Sequence, residues 1–195
     1  MDLILIRHPA VALDAGICYG RSDVALADSP AAGAQAVAAR LAGLHTPAPQ
    51  RLSTSPLSRC AAVAAALAGR LGCAYRVDAR LAEMDFGAWE LQHWDQIGRA
   101  ALDAWAADFH DARPHGGESV TQFAARVQDW LDTLPPGGSE PVYAVTHAGV
   151  MRVVAALTLG VPVSRTTHWS LAMAGIAWLR RDACSAQWSL VRWNA

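Results

Sequence analysis

Hydrophobic residues form short continuous runs at two widely separated places in the chain. These runs, residues 3–6 and 142–145, are each followed two positions later by a histidine. Uninterrupted apolar runs of this length, bounded by polar or turn residues, are typical of strands that are buried on both faces. Weaker patterns predict further strands at residues 51–53, 175–180 and 187–193.

Alanine-rich and amphipathic segments lie between these runs and predict helices. They cover residues 30–44, 56–71, 119–134 and 148–159. Ser29 and Ser55 are candidate N-caps, each followed by a proline at the first helical position. Gly72 and Gly160 are candidate stops, and the third helix is expected to end at the turn of residues 135–138. Strands that alternate with helices predict an α/β fold, a three-layer sandwich with a mostly parallel central sheet flanked by helices.

The stretch from residue 81 to residue 117 has a less regular pattern. It contains Trp89, Trp94, Trp105 and Phe109, whose side chains are expected mostly in the core. We expect residues 1–195 to form a single domain, in which this stretch is a helical insertion or cap over the carboxyl-terminal edge of the strands.

Composition and charge narrow the class of protein. Hydrophobic residues make up 53% of the chain and charged residues 17%, which excludes a disordered protein. The net charge of −1 gives no general attraction to nucleic acid or to an anionic membrane. The four cysteines are scattered without metal-site spacing, and no targeting segment is apparent. We therefore expect a cytoplasmic protein with reduced cysteines and without cofactor or metal. The eight tryptophans are compatible with a homodimer interface as well as with the core.

Two arginines and two histidines follow the predicted strands. Arg7 and His8 end the first strand, His147 ends the 142–146 strand, and Arg59 lies early in the helix after the 51–53 strand. Ligands of open α/β sheets bind beyond the carboxyl ends of the strands. Arginine matches phosphate oxygens with a planar fork, and a neutral imidazole can attack phosphorus. This placement therefore favours a site for a phosphoryl group.

Five segments resemble the motifs of the histidine phosphatase superfamily, the phosphoglycerate mutase-like group. They are LIRH at residues 5–8, STSPLSRC at 53–60, LAEMDFGAWE at 81–90, GGES at 116–119 and VTHAGVMR at 145–152. The resemblance implies a phosphomonoesterase in which His8 is the phosphorylated nucleophile and Glu83 is the general acid and base. It also implies that the phosphate is held by Arg7, Arg59 and His147. Asp85 and Glu90 remain alternatives to Glu83 as the acid.

One further segment, CYGRSD at residues 18–23, is similar to a motif of α-ribazole phosphatases. It implies that the substrate is the 5′-phosphate of α-ribazole or of adenosylcobalamin, and that Gly20 and Arg21 contribute to the substrate side of the pocket. Two residues depart from the superfamily pattern. Pro9 replaces a usual glycine, and Asp14 stands near the position of a phosphate-binding asparagine.

Three alternatives to this function stay open at the level of sequence. A phosphoglycerate mutase would use the same chemistry with transfer back to the substrate, although the short loop at residues 16–23 argues against it. A phosphatase of broad specificity would need the same catalytic residues. A silent phospholigand-binding module is the third alternative, and Pro9 and Asp14 are the residues that suggest it.

Overall fold

The computed structural model of the chain describes residues 1–135 and 140–195. The strands are β1 (Asp2–Arg7), β2 (Ile17–Cys18), β3 (Arg51–Thr54), β4 (Ala74–Val77), β5 (Gln92–His93), β6 (Val142–Thr146), β7 (Ile176–Arg181) and β8 (Trp188–Arg192). The helices are α1 (Pro30–Gly43), α2 (Ser58–Leu71), α3 (Arg99–Ala107), α4 (Val120–Leu131), α5 (Ala148–Leu159) and α6 (Val163–Thr166).

A six-stranded sheet forms the centre of the fold, in the order β4-β3-β6-β1-β7-β8. The pairs β4–β3, β3–β6 and β6–β1 are parallel, whereas β7 and β8 complete the sheet as antiparallel strands. The predicted α/β fold with a mostly parallel sheet is therefore confirmed. Because β1, β3 and β6 run in the same direction, their carboxyl ends lie at one edge of the sheet.

Alternation along β1 divides the core between the two faces of the sheet. Leu3 and Leu5 belong to a buried cluster with side chains of α4 and α5. Ile4 and Ile6 belong to a second buried cluster with side chains of α1 and α2. Helices thus cover both faces of the sheet. The centre of β1 is apolar throughout because neither face of this strand reaches water.

Helix boundaries follow the sequence signals with two corrections, the first of which is that α4 ends at Leu131 rather than at residue 134. Ser29 caps α1 by accepting a hydrogen bond from the Ala32 N–H, and Gly72 and Gly160 end α2 and α5 in the left-handed region. Helix α2 begins at Ser58 rather than at residue 56, so the prediction that Ser55 is its N-cap is wrong. The cap position is Leu57, and the Ser55 hydroxyl is directed to other partners described below. The predicted turn at residues 135–138 lies outside the described residues except for Pro135.

The segment between residues 81 and 117 contains α3, the short strand β5 and single turns of 3₁₀ helix. A small separate core holds this segment together, formed by Cys18, Trp89 and Ile97 with partly buried neighbours. Its status as an insertion within a single domain remains a prediction. Within the described residues, no helix has the length and apolar character that a bilayer crossing requires.

Candidate active site

The two histidines that follow β1 and β6 lie side by side. Arg7 is paired with Thr146 in the parallel register of the two strands, so the next residues, His8 and His147, leave the sheet at the same level. The His8 N–H donates to the Thr146 carbonyl at 3.0 Å. The two ring centroids are 5.2 Å apart. The sheet register therefore produces the histidine pair predicted from the two apolar runs.

His8 is held as a neutral ring with a defined tautomer. Its Nδ1 lies 2.7 Å from the Pro9 carbonyl oxygen, which only accepts hydrogen bonds, so Nδ1 carries the proton. The other ring nitrogen, Nε2, is left with its lone pair. The side chain is almost fully buried, and burial, aided by the charges of Arg59 and Arg7, lowers the pKa of His8 to about 3. A ring in this state is a nucleophile at neutral pH.

His147 is fully buried between the loop after β3 and the first turn of α2. Its Nε2 lies 2.8 Å from the Ser55 hydroxyl and 3.4 Å from the Cys60 sulfur. Burial, and then the charge of Arg59, keeps the pKa of His147 well below its usual value. His147 is thus a second neutral imidazole, which can share a hydrogen bond with a phosphate oxygen.

Two guanidinium groups lie beside this pair. Arg59 is fully buried, and its Nη1 and Nη2 donate to the carbonyls of Ser22 and Gly20 at 2.7 and 2.6 Å. Arg7 donates through Nη1 to the Leu171 carbonyl. The Nε–H groups of both arginines are buried and have no acceptor among the described residues. Since buried donors are normally paired, these N–H groups are suited to the oxygens of an anionic ligand.

Glu83 lies at the wall of the same site. Its two carboxylate oxygens accept hydrogen bonds from the N–H groups of Met84 and Gly149, both at 3.1 Å. Burial nevertheless raises the pKa of Glu83 above its usual value. Glu83 lines a cavity of about 130 Å³ together with Arg7 and His8. A carboxyl group with a raised pKa at this position is suited to proton transfer.

The segment that carries Glu83 is fastened to α4 by the side chain of Arg126. Arg126 binds the Glu118 carboxylate through two hydrogen bonds of 2.8 and 2.7 Å. The same guanidinium donates to the carbonyls of Arg80, Ala82 and Glu83. Sequence reasoning missed Arg126, because nothing in the helical pattern separates it from a solvated arginine. It noted Glu118 only as part of the GGES turn.

The two alternative acids have other contacts. Glu90 accepts hydrogen bonds from the N–H groups of Arg21, Ser22 and Phe86 and from the Ser22 hydroxyl. It therefore ties two loops of the site together. Asp85 accepts from the Gly87 N–H at 2.8 Å and stabilises its own turn. These contacts favour Glu83 over both alternatives.

Of the remaining residues that the sequence singled out, some line the cavity beside His8 and others do not. Gly20 lines the cavity beside His8 and has a φ of 33°, and a Cβ there would overlap the Glu90 carboxylate. Arg21 and Asp14 are exposed and do not line that cavity. Pro9 packs against Gly33 of α1, where an added Cβ would come within 2.7 Å of the proline ring. The proline that departs from the superfamily pattern is thus accommodated, and its carbonyl orients His8.

No group of three or more histidine, cysteine or acidic side chains is arranged to hold a metal ion within residues 1–135 and 140–195.

Comparisons with known proteins agree with this geometry. The sequence profile of the histidine phosphatase superfamily (branch 1) matches residues 3–195. A glucosyl-3-phosphoglycerate phosphatase of Mycobacterium tuberculosis is 32% identical over 215 residues, covering 99% of this chain and 94% of the relative. An adenosylcobalamin/alpha-ribazole phosphatase of Salmonella typhimurium is 28% identical over 108 residues, covering 53% of this chain and 52% of the relative.

A solved structure gives the same result in three dimensions. The native structure of a mycobacterial glucosyl-3-phosphoglycerate phosphatase has a TM-score of 0.82 and 30% identity, covering 100% of this chain and 98% of that one. A structure of the same mycobacterial enzyme in complex with inorganic phosphate matches with a TM-score of 0.78 and 30% identity, covering 100% of this chain and 97% of that one. The α-ribazole phosphatase match in sequence covers much less of the chain than the glucosyl-3-phosphoglycerate phosphatase match.

The buried neutral histidines predict a loss of stability in acid. Between its native pKa of about 3 and the ordinary value of 6.5, His8 binds a proton only in the unfolded chain. The free energy of unfolding should therefore fall as the pH drops below 6.5, by up to about 1.4 kcal/mol per pH unit from this residue. Urea unfolding between pH 6.5 and 4.5 measures this slope.

The slope should decrease in the His8→Gln variant and stay unchanged in His168→Gln, whose side chain is exposed. Equal slopes in the native chain and in His8→Gln would contradict the assigned neutral state of His8.

Proposed function

The chain belongs to the histidine phosphatase superfamily, branch 1, and is a phosphoric monoester hydrolase, and we propose that it acts through a transient phosphohistidine on His8. The observation that carries this proposal is the hydrogen bond between His8 Nδ1 and the Pro9 carbonyl, which leaves Nε2 unprotonated in the site. Arg7, Arg59 and His147 surround the phosphoryl group in this proposal.

In the first step, Nε2 of His8 attacks phosphorus and the bond between phosphorus and the ester oxygen breaks. Glu83, whose pKa is raised by burial, acts as the acid: it gives a proton to the leaving oxygen, and the alcohol departs. Phosphorylation makes the His8 ring electron-poor, and the Pro9 carbonyl that accepts from Nδ1 stabilises this state. The guanidinium groups of Arg7 and Arg59 balance the charge on the equatorial oxygens.

In the second step, water attacks the same phosphorus atom and the bond to Nε2 breaks. The Glu83 carboxylate, now deprotonated, takes the proton of the water. Inorganic phosphate leaves, and His8 and Glu83 return to their starting states. The Gly149 and Met84 N–H groups keep the carboxylate in place during both steps.

One candidate substrate is the 5′-phosphate of α-ribazole or of adenosylcobalamin. The segment at residues 18–23 and the relative in Salmonella typhimurium support it. However, the carbonyls of Gly20 and Ser22 in this segment hold Arg59, and Arg21 is exposed. The segment therefore contributes to the phosphate site, through Arg59, more than to recognition of the leaving group.

The other candidate substrate is glucosyl-3-phosphoglycerate, and we favour it over the α-ribazole compounds. Relatives named as phosphatases of this compound match 99% of the chain at 31% and 32% identity. Its phosphate sits on a glycerate unit that carries a carboxylate.

The phosphohistidine predicts a distinctive label. Rapid acid-free quenching of the enzyme with a ³²P-labelled phosphomonoester should give a phosphoprotein that is stable in alkali and labile in acid, with the label on His8. The His8→Ala variant should lose the label and lose about 10³-fold or more in kcat. If the His8→Ala variant hydrolysed p-nitrophenyl phosphate at the native rate, the mechanism would be overturned.

The contacts of Glu83 and Glu90 predict two different defects. Glu83→Gln should slow the first turnover of an alkyl phosphate, in which the phosphohistidine forms, about 10²–10⁴-fold, because its leaving oxygen needs a proton. It should affect the first release of p-nitrophenol from p-nitrophenyl phosphate much less, and it should slow the later hydrolysis of the phosphohistidine equally for both substrates. Glu90→Gln should slow both substrates by a similar factor, about 10-fold, because it loosens the loop that holds Arg59.

Asp103→Asn, at an exposed position of α3, is the control and should match the native enzyme. A selective loss of alkyl phosphate hydrolysis in Glu90→Gln would instead identify Glu90 as the acid.

A substrate panel decides between the two leaving groups. Glucosyl-3-phosphoglycerate should give a kcat/KM at least 10-fold above that of α-ribazole 5′-phosphate, measured as phosphate release at equal enzyme concentration. The reverse order would restore the α-ribazole assignment.

A further inference from the structure

A cavity of about 390 Å³ adjoins the candidate active site on the other side of Glu83. It shares Glu83, Phe86 and Trp94 with the smaller cavity that contains Arg7 and His8. A substrate whose phosphate is at His8 and whose ester oxygen is at Glu83 would extend its leaving group into this space. Most of the lining is apolar, and its aromatic members are Phe86, Trp94, Trp105, Phe109 and Phe123.

The basic side chain in this lining is Arg152. It lies on α5 three residues after Gly149, whose N–H holds the Glu83 carboxylate at 3.1 Å. Arg152 and Glu83 thus line the same cavity from two elements that meet at Gly149.

The guanidinium group of Arg152 uses only part of its hydrogen-bonding capacity within the protein. Its Nε and Nη2 both donate to the Trp169 carbonyl, at 3.1 and 3.0 Å. The hydrogen bonds of Arg152 in the part of the chain that the structure describes use Nε and Nη2 and leave Nη1 available, and none of the ion pairs found there includes Arg152. A half-buried guanidinium without a carboxylate partner is unfavourable, and an anion on a ligand would offset that cost.

We propose that Arg152 binds a carboxylate on the leaving group, so that the preferred substrates are phosphomonoesters of hydroxy acids. This inference rests on the proposed function, since it places the ester oxygen at Glu83. The carboxylate is expected two or three carbon atoms from the phosphorylated oxygen, in the cavity that Glu83 and Arg152 both line. Any further part of the leaving group packs against the aromatic side chains of the cavity.

Two substrates that differ only in this group test the proposal. 3-Phosphoglycerate and glycerol 3-phosphate both carry a phosphate on a primary alcohol, and a carboxylate in the first is replaced by a hydroxymethyl group in the second. The native enzyme should prefer 3-phosphoglycerate in kcat/KM. Arg152→Gln should lower kcat/KM for 3-phosphoglycerate about 10- to 100-fold more than for glycerol 3-phosphate, mainly through KM.

Arg152→Lys, which retains the charge, should recover part of the preference, and Arg70→Gln at the exposed end of α2 should leave the ratio at its native value. Loss of the contact with the Trp169 carbonyl affects both substrates alike, so the ratio separates binding of the carboxylate from a structural role. An equal loss for both substrates, or no preference in the native enzyme, would overturn the proposal. If the native enzyme fails to hydrolyse p-nitrophenyl phosphate, the proposed function itself is wrong, and this inference falls with it.

Discussion

Burial of two uncharged imidazole rings beside two permanently charged guanidinium groups is the constraint on which the site depends. Water is excluded from His8 and His147, and the neighbouring charges of Arg7 and Arg59 further disfavour a proton on either ring. Nε2 of His8, the proposed nucleophile, is therefore unprotonated without the help of a neighbouring base. In the proposed mechanism, the positive charge that keeps the proton off the rings also attracts the phosphoryl group, so one arrangement serves both binding and reactivity.

Holding four such groups together requires restraints from distant parts of the chain. The parallel register of β1 and β6 sets the spacing of the histidines. Arg59 is fixed by the carbonyls of a loop that Glu90 ties down, and the segment carrying Glu83 is fixed by Arg126. Backbone carbonyls and carboxylates outside the reaction thus determine where the reacting side chains lie, and each loop is anchored at more than one point.

The hydrophobic patterns of the sequence predicted the strands and helices that bury one face, or both faces, in the core. They missed β4, because an exposed edge strand with the sequence AYRV has no apolar period. They assigned Ser55 as a helix cap because its position before a proline is the usual signal, whereas its hydroxyl contacts His147 across the site. The motifs placed Arg7, His8 and Arg59 together, but the contacts that separate Glu83 from Glu90 are between residues far apart in the chain. Such contacts leave no local signal in composition or periodicity.

The protonation state of His8 is the most direct test of these ideas. Long-range ¹H–¹⁵N correlation spectra of ¹⁵N-histidine-labelled protein report the proton on each ring nitrogen, and the His8→Gln variant assigns the signal. We expect a proton on Nδ1 and none on Nε2 of His8, unchanged from pH 7 to about pH 4.5. A proton on Nε2 at neutral pH, or titration of His8 near its ordinary pKa of 6.5, would contradict the central claim.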